Sequence, residues 1–176
     1  EERADEGQVV IGDWDITRLG RHEIPYLRRQ IGVIFQDFKL LPKKTLRENV
    51  AFALEVCGAS QGKIKKIVPS VLKIVGLEDK GGRYPHEVSG GEQQRAAIAR
   101  ALVHQPRILL ADEPTGNLDA INADEIIELL LRINKFGTTV ILVTHNKEIV
   151  NRLNRRVITM EKGRVVSDKV HGKYLL

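Results

Sequence analysis

Asp112 and Glu113 stand directly after the wholly apolar run Ile108-Leu109-Leu110-Ala111. A strand of this kind is expected to be buried on both faces, and it delivers its terminal acids to the C-terminal edge of a parallel sheet, where open sheets bind ligands. An acid at that edge can hold a magnesium ion, directly or through water, because this hard cation prefers oxygen ligands. The next acid points to the opposite side of a strand and can polarise water for attack on a phosphate. About twenty residues earlier lies a second constellation, Val88-Ser89-Gly90-Gly91-Glu92-Gln93-Gln94-Arg95. A serine and two glycines that open a helix leave backbone N–H groups unobstructed at the positive end of its dipole, which suits an anion. Ser89 can cap that helix and also donate its hydroxyl to a phosphate oxygen. Taken singly, the first is more often a solvated strand end and the second a plain N-cap. Together, in this order, they are far more specific.

These residues need a sheet and helices to position them. A short strand at 8–11 ends at Gly12-Asp13, and a polar helix at 23–30 tolerates Pro25 in its first turn. Ile31-Gly32-Val33-Ile34-Phe35 is a compact apolar strand that stops at Gln36-Asp37. Thr45 followed three residues later by Glu48 opens a helix with a capping box, and Leu46, Val50, Ala53 and Leu54 continue it at helical spacing. A helix over 64–75 is closed by Gly76, and a loop with Gly81, Gly82 and Pro85 follows. Further on, the pattern predicts helices over 91–103, 122–134 and 147–152, and strands over 108–111, 139–143, 157–160 and 164–166. The last two strands are joined by a hairpin-like turn at Glu161-Lys162-Gly163. Strands alternating with helices define an α/β class with a mostly parallel sheet, and the strandless span 46–89 reads as an inserted helical subdomain.

Composition narrows the classes further. At 176 residues, 42% apolar and 29% charged, the chain has the size and balance of one ordinary globular domain. It has no apolar run of the ~18 residues a membrane span needs. The first six residues are polar and largely acidic, unlike a secretory signal, and the single cysteine, Cys57, suits a reducing compartment. The net charge is +5, but the basic residues are dispersed, with short groups at Lys63, Lys65, Lys66 and at Arg152, Arg155, Arg156. Aromatics make up 5% and do not interleave with those groups, so no nucleic-acid surface is expected.

The motifs together resemble those of the ABC-type ATPases. Ser89-Gly90-Gly91-Glu92-Gln93 is similar to the family's signature motif, and Leu109-Leu110-Ala111-Asp112-Glu113 to its Walker B motif. Phe35-Gln36 resembles the Q-loop, Gly116-Asn117-Leu118-Asp119 the D-loop and Thr144-His145 the H-loop, all in the family's order. The resemblance implies ATP and Mg2+ as cofactors and a head-to-tail homodimer closing on two ATP molecules. Asp112 would support the metal, and Gln36 would contact both metal and attacking water. Glu113 would be the general base, and His145 would reach the γ-phosphate. Ser89, Gly90, Gly91, Glu92 and Gln93 would form the nucleotide-contacting signature, with Ser89 and Gly91 touching ATP held by the opposite protomer. Asp119 would link the two sites across the dimer. The family pattern divides the chain into a partial core with the Q-loop at 1–45, a helical subdomain at 46–89, and the remaining core at 90–176.

Within the family, the strip from Ile34 to Pro42, with Thr45 and Glu48-Asn49-Val50-Ala51, is most similar to the cell-division branch. Arg155-Arg156-Val157-Ile158, Gly163-Arg164-Val165-Val166 and Gly172-Lys173-Tyr174 agree with that branch. It implies an FtsX-like membrane protein as partner, received near Gln36 and the helices after Thr45, with Phe38, Leu40 and Leu41 as candidate contacts. The implied location is the cytoplasmic face of the cell membrane. Lipoprotein-release and macrolide-export ATPases share Pro114-Thr115-Gly116-Asn117-Leu118-Asp119 and form the alternative. One departure stands out: no G-x-x-x-x-G-K-[ST] run, whose amides and lysine cradle phosphates, occurs in the 176 residues. The 176 residues alone are therefore expected to bind ATP poorly and not to turn it over. The competing expectations are a non-hydrolysing scaffold, or a chain that lends Ser89, Gly91 and Asp119 to an intact partner.

Overall fold

The computed structural model describes residues 4–174. It resolves into two compact units, one running up to Leu142 and one from Val143 onward.

The first unit opens with a small antiparallel hairpin of β1 (Val10–Ile11) and β2 (Trp14–Asp15), followed by the short helix α1 (Ile24–Arg28). Its centre is a three-stranded sheet in the order β3 (Ile31–Ile34), β4 (Ile108–Asp112), β5 (Thr139–Val143), all but the last residue of β5 falling in this unit. β3 and β4 run parallel, with Ile31 opposite Ile108 and Ile34 opposite Ala111. That register brings Phe35-Gln36 and Asp112-Glu113 out of the same sheet edge, side by side.

The expectation that β4 is buried on both faces requires correction. Leu109 and Ala111 are wholly buried, as are Gly32 and Ile34 beside them, whereas Ile108 and Leu110 are half-buried. The outward residue Val33 of β3 is 38% exposed, and Phe35, just past the strand, 36%. The closed face lies under helix α4 (Gly90–Leu102). The approach is so tight that a methyl on Gly32 would fall 2.5 Å from the Ala101 carbonyl oxygen, so only glycine fits at that crossing.

The span after β3 is helical, as expected. α2 (Leu46–Val56) buries Leu46, Val50 and Leu54, and α3 (Gln61–Ile74) buries Ile64, Val68, Val71 and Leu72. α4 turns Ala96, Ala97, Ile98 and Ala99 into the same core, and its run of alanines lets α2 pack close. Thr45 accepts from the Glu48 N–H while the Glu48 side chain accepts from Thr45 N, so the capping box is formed. α3 begins three residues before the sequence pattern predicts, because Ser60 caps it through the Lys63 N–H. Its polar first turn carries no apolar period to reveal it. Gly76 closes it with φ +69°, a left-handed conformation in which Leu77 N can reach back to Leu72 O. Two single 3-10 turns (78–80 and 85–87) lead to Ser89. After β4, helix α5 (Ala120–Lys135) begins two residues early on the Asp119 cap and buries Ile126, Ile127, Leu129, Leu130 and Ile133.

The second unit holds α6 (Lys147–Leu153), capped by Asn146, and an antiparallel hairpin of β6 (Val157–Glu161) and β7 (Arg164–Lys169). The hairpin turns at Lys162-Gly163 as expected, and β7 runs three residues beyond the predicted end. Arg156 grips Asp168 with two hydrogen bonds of 2.8 and 2.6 Å, which holds the Asp168 carboxyl below its ordinary pKa. Among the described residues no helix is long and apolar enough to cross a membrane.

Candidate functional site

β4 ends at Asp112, whose side chain is exposed. Glu113 then leaves the strand with φ +43°, a left-handed conformation that side chains with a Cβ rarely adopt. Strand alternation therefore does not set the direction of Glu113; the turn does. That turn is closed by Gly116 N donating to Glu113 O (3.0 Å) and Leu118 N to Thr115 O (3.1 Å).

The two sheet-edge loops are joined. Gln36 Nε2 donates to Asn117 Oδ1 at 3.3 Å, and Asn117 Nδ2 returns to the Gln36 carbonyl at 3.0 Å. Gly116 lies so close that a methyl there would meet Gln36 Nε2 at 2.8 Å. Beyond Gln36 the backbone makes two successive left-handed residues, Phe38 (φ 57°) and Lys39 (φ 48°). Their carbonyls both accept from the Arg100 guanidinium of α4, at 2.9 and 2.6 Å. The wholly buried Asn49 ties down the rest of the loop, accepting from Leu41 N and donating to the carbonyls of Leu41, Lys44 and Thr45. Phe38, Leu40 and Leu41 are half-buried.

At the start of α4, Ser89 Oγ accepts from Glu92 N (3.3 Å) and Glu92 Oε2 accepts from Ser89 N (3.0 Å), a second capping box. Ser89 Oγ acts only as an acceptor in this contact, so its hydroxyl hydrogen stays available to an anion. The other oxygen of Glu92 is paired with Lys80. That pairing, with the Ser89 amide, holds the Glu92 carboxyl below its ordinary pKa. Gln93 Nε2 donates to Val88 O at 3.3 Å. The buried Gln94 donates to Pro114 O at 2.7 Å and so ties the signature helix to the turn after Glu113. Gly90 and Gly91 face the D-loop: an added methyl at Gly90 would lie 3.5 Å from Leu118, and one at Gly91 would strike Asn122. Asp119 caps α5 through Asn122 N.

The first unit thus joins Gln36 to Asn117, Gln94 to Pro114, and Gly90-Gly91 to the segment Leu118–Asn122. His145 belongs to the second unit, exposed in the short link before α6, where the preceding Thr144 accepts from Asn146 N at 3.1 Å. No group of three or more His, Cys, Asp or Glu side chains that could hold a metal occurs among the described residues. One carboxylate, Asp112, with the amide of Gln36 fits magnesium, which keeps waters and takes the remaining ligands from phosphate oxygens. Sequence reasoning gave no role to Gln94, Asn117, Asn122 or Arg100. The Asp-x-x-Asn spacing of 119–122, that of an N-cap and its acceptor turn, is the signal that could have found Asn122.

A helix N-terminus primed for an anion, facing a loop that is itself joined to a carboxylate-bearing strand end, defines a nucleotide-hydrolysing cassette. Comparison with known proteins agrees. The family model described as ABC transporter matches residues 1–116. A solved dimeric ATP-binding cassette, in a post-hydrolysis state bound to ADP and Pi, superposes with a TM-score of 0.82 at 35% identity, covering 98% of this chain and 77% of that one. The chain belongs to the ABC transporter ATPase family. Its relatives within that family include the cell division ATP-binding protein FtsE of Streptococcus pneumoniae and that of Bacillus subtilis strain 168. Each is 52% identical over 99% of this chain and 76% of the relative. FtsE of Escherichia coli K12 is 46% identical over 92% of this chain and 73% of its own length.

Proposed function

We propose that this chain is the ATP-hydrolysing part of an FtsE/FtsX-type complex, coupling hydrolysis to a membrane partner in cell division and cell-wall remodelling. The observation that carries this reading is the physical junction of three loops in one unit: Gln36 with Asn117, Gln94 with Pro114, and Gly91 with Asn122.

Asp112 and Gln36 are the residues that would hold Mg2+, which when bound neutralises charge on the phosphate oxygens. Glu113, held in its left-handed turn beside that edge, orients and deprotonates the attacking water. His145 reaches the γ-phosphate. Ser89 presents its hydroxyl, and Gly90 and Gly91 the helix start, to the γ-phosphate of ATP on the opposite protomer of a head-to-tail dimer. Glu92 and Gln93 hold that helix start in shape, and Asp119 links the two sites. This arrangement works by positioning and charge stabilisation, the two effects on which phosphoryl transfer depends.

The partner's seat is a groove of about 510 Å³ between α1, β3, α2 and α4. Its walls include Phe35, Leu41, Phe52 and Val56, with Arg28 and Arg29 at the rim. Phe52 and Val56 are 39% and 66% exposed, so they are stronger candidates for the contact than the half-buried Phe38 and Leu40. The groove runs alongside the loop that follows Gln36, which lets nucleotide state be felt by an FtsX-like segment at the cytoplasmic membrane face.

The test is Mg2+-dependent phosphate release by the complex that carries the family's phosphate-binding loop. Asp112→Asn is expected to lower turnover at least about tenfold, because a negative charge that supports the metal is lost. Unaltered turnover in that variant would remove the carboxylate edge from the mechanism.

A further inference from the structure

Asn122, in the first turn of α5, touches two functional loops at once. Its backbone N–H donates to Asp119 Oδ1 at 3.0 Å, and its side-chain Nδ2 donates to Asp119 Oδ2 at 2.6 Å. One residue thus occupies both oxygens of the D-loop carboxylate, which lowers the Asp119 pKa from its ordinary value. Capping of α5 accounts for the backbone contact alone; the second contact fixes the side chain. With Nδ2 committed to Asp119, the carbonyl end of the amide is turned onto the buried Gly91. A methyl at Gly91 would lie 2.0 Å from Asn122 Oδ1 and 2.7 Å from Cγ. Gly91 is therefore constrained from within its own protomer, apart from any nucleotide it meets. Gly90 is looser: a methyl there would make only an ordinary contact with Leu118, at 3.5 Å.

We propose that Asn122 is a positioning residue for ATP hydrolysis: it locks the signature backbone at Gly91 to the D-loop carboxylate Asp119, so that one protomer presents both to the opposite nucleotide as a single piece. The inference rests on the head-to-tail reading above. An amide is suited to the task because it carries a donor for the carboxylate at one end and a small, uncharged acceptor against the glycine at the other. An aspartate would set a second negative charge against Asp119, and an alanine would leave the two loops uncoupled.

Steady-state hydrolysis by the complex carrying the phosphate-binding loop tests the idea. Asn122→Ala is expected to lower kcat about tenfold with KM for ATP little changed, since misplacement of a positioning group acts on the chemical step. Its melting temperature should stay close to the parent's. Asn122→Asp, which keeps the size of the side chain but sets a second carboxylate against Asp119, should be no faster than Asn122→Ala. An unchanged kcat in Asn122→Ala, or an aspartate variant as fast as the parent, would overturn the proposal. If Asn122→Ala proves poorly folded, the packing contact is read instead from the melting temperature of Gly91→Ala, which should fall as the added methyl meets Asn122 Oδ1. An unchanged melting temperature in Gly91→Ala would count against the contact.

Mixed dimers separate the inference from the reading beneath it. With Asn122→Ala and Glu113→Gln on different protomers, one site keeps both an intact base and an intact lent surface. With both on one protomer, no site does. The first dimer should be several-fold faster. The reverse order, with the kcat loss present, would show that Asn122 serves its own protomer's site and would overturn the lending of signature and D-loop.

Discussion

The helical span from Thr45 to Leu102 and the sheet edge that carries Asp112 and Glu113 hold their functional residues by different means. In the helical span the signature serine is fixed by hydrogen bonds to a residue three positions away, repeating the Thr45–Glu48 box at the head of α2. Its core is closed, with Leu46 and Val50 at 0% and Leu72 at 1% exposure. The sheet edge relies on partners far along the chain: Gln36 and Asn117 are 81 residues apart, and Arg100 reaches back more than 60 to Phe38 and Lys39. It also stores backbone strain, in Glu113, Phe38 and Lys39. One face of the sheet is packed and the other half-open. Local contacts thus set the Ser89 cap at the anion-binding end, and long-range contacts under strain set the hydrolytic end.

The contrast between the two sheet faces gives the largest expected effect on stability. Leu109→Ala, on the closed face, should cost about 3 kcal/mol in denaturant unfolding, and Val33→Ala on the open face less than about 1 kcal/mol. Equal costs would break the distinction between the faces. A smaller effect is expected from Thr45→Ala, which removes one side of the capping box. It should cost about 1 kcal/mol and leave the signature box intact. A loss as large as that of Leu109→Ala would mean that α2 is held by its cap rather than by its core.

The smallest effect concerns His104, which lines the groove near Arg28, Arg29 and Arg100. Its ring nitrogens are shut off from solvent without a well-formed hydrogen bond, and burial lowers its pKa below 6.5, with a contact to the Ile31 backbone offsetting this in part. The folded state therefore binds fewer protons than the unfolded chain as pH falls below about 6.5, and stability should decline across that window. Unfolding measured between pH 7 and 5 should show a shallower slope in His104→Gln. An unchanged slope would assign the decline to other groups.

Legibility in the sequence followed the same division. The Thr45 box, the Gly76 stop and the apolar run before Asp112 announce themselves by residue type at short spacing, and the structure forms all three. The strand order was readable only as a class, since pairing β3 with β4 is a contact across more than 70 residues. At the site, Ser89, Asp112 and Glu113 were visible from composition and position. The Gln94–Pro114 tie and the Arg100 contacts were not, because such long side chains can reach several partners and only the fold selects one; the contact of Asn122 with Gly91 likewise needs the fold. The left-handed turn at Glu113 was also hidden: a glutamate gives no local sign that its backbone will be strained.

In the proposed mechanism Glu113 performs the chemistry while the signature and D-loop of the opposite protomer complete the site. This is tested most directly by Glu113→Gln in the protein carrying the phosphate-binding loop, following phosphate release together with ATP retention and dimer mass. The account predicts a fall in turnover of at least about a hundredfold, with ATP kept between two associated protomers. Turnover close to that of the parent protein, or ATP retained by monomers, would contradict it.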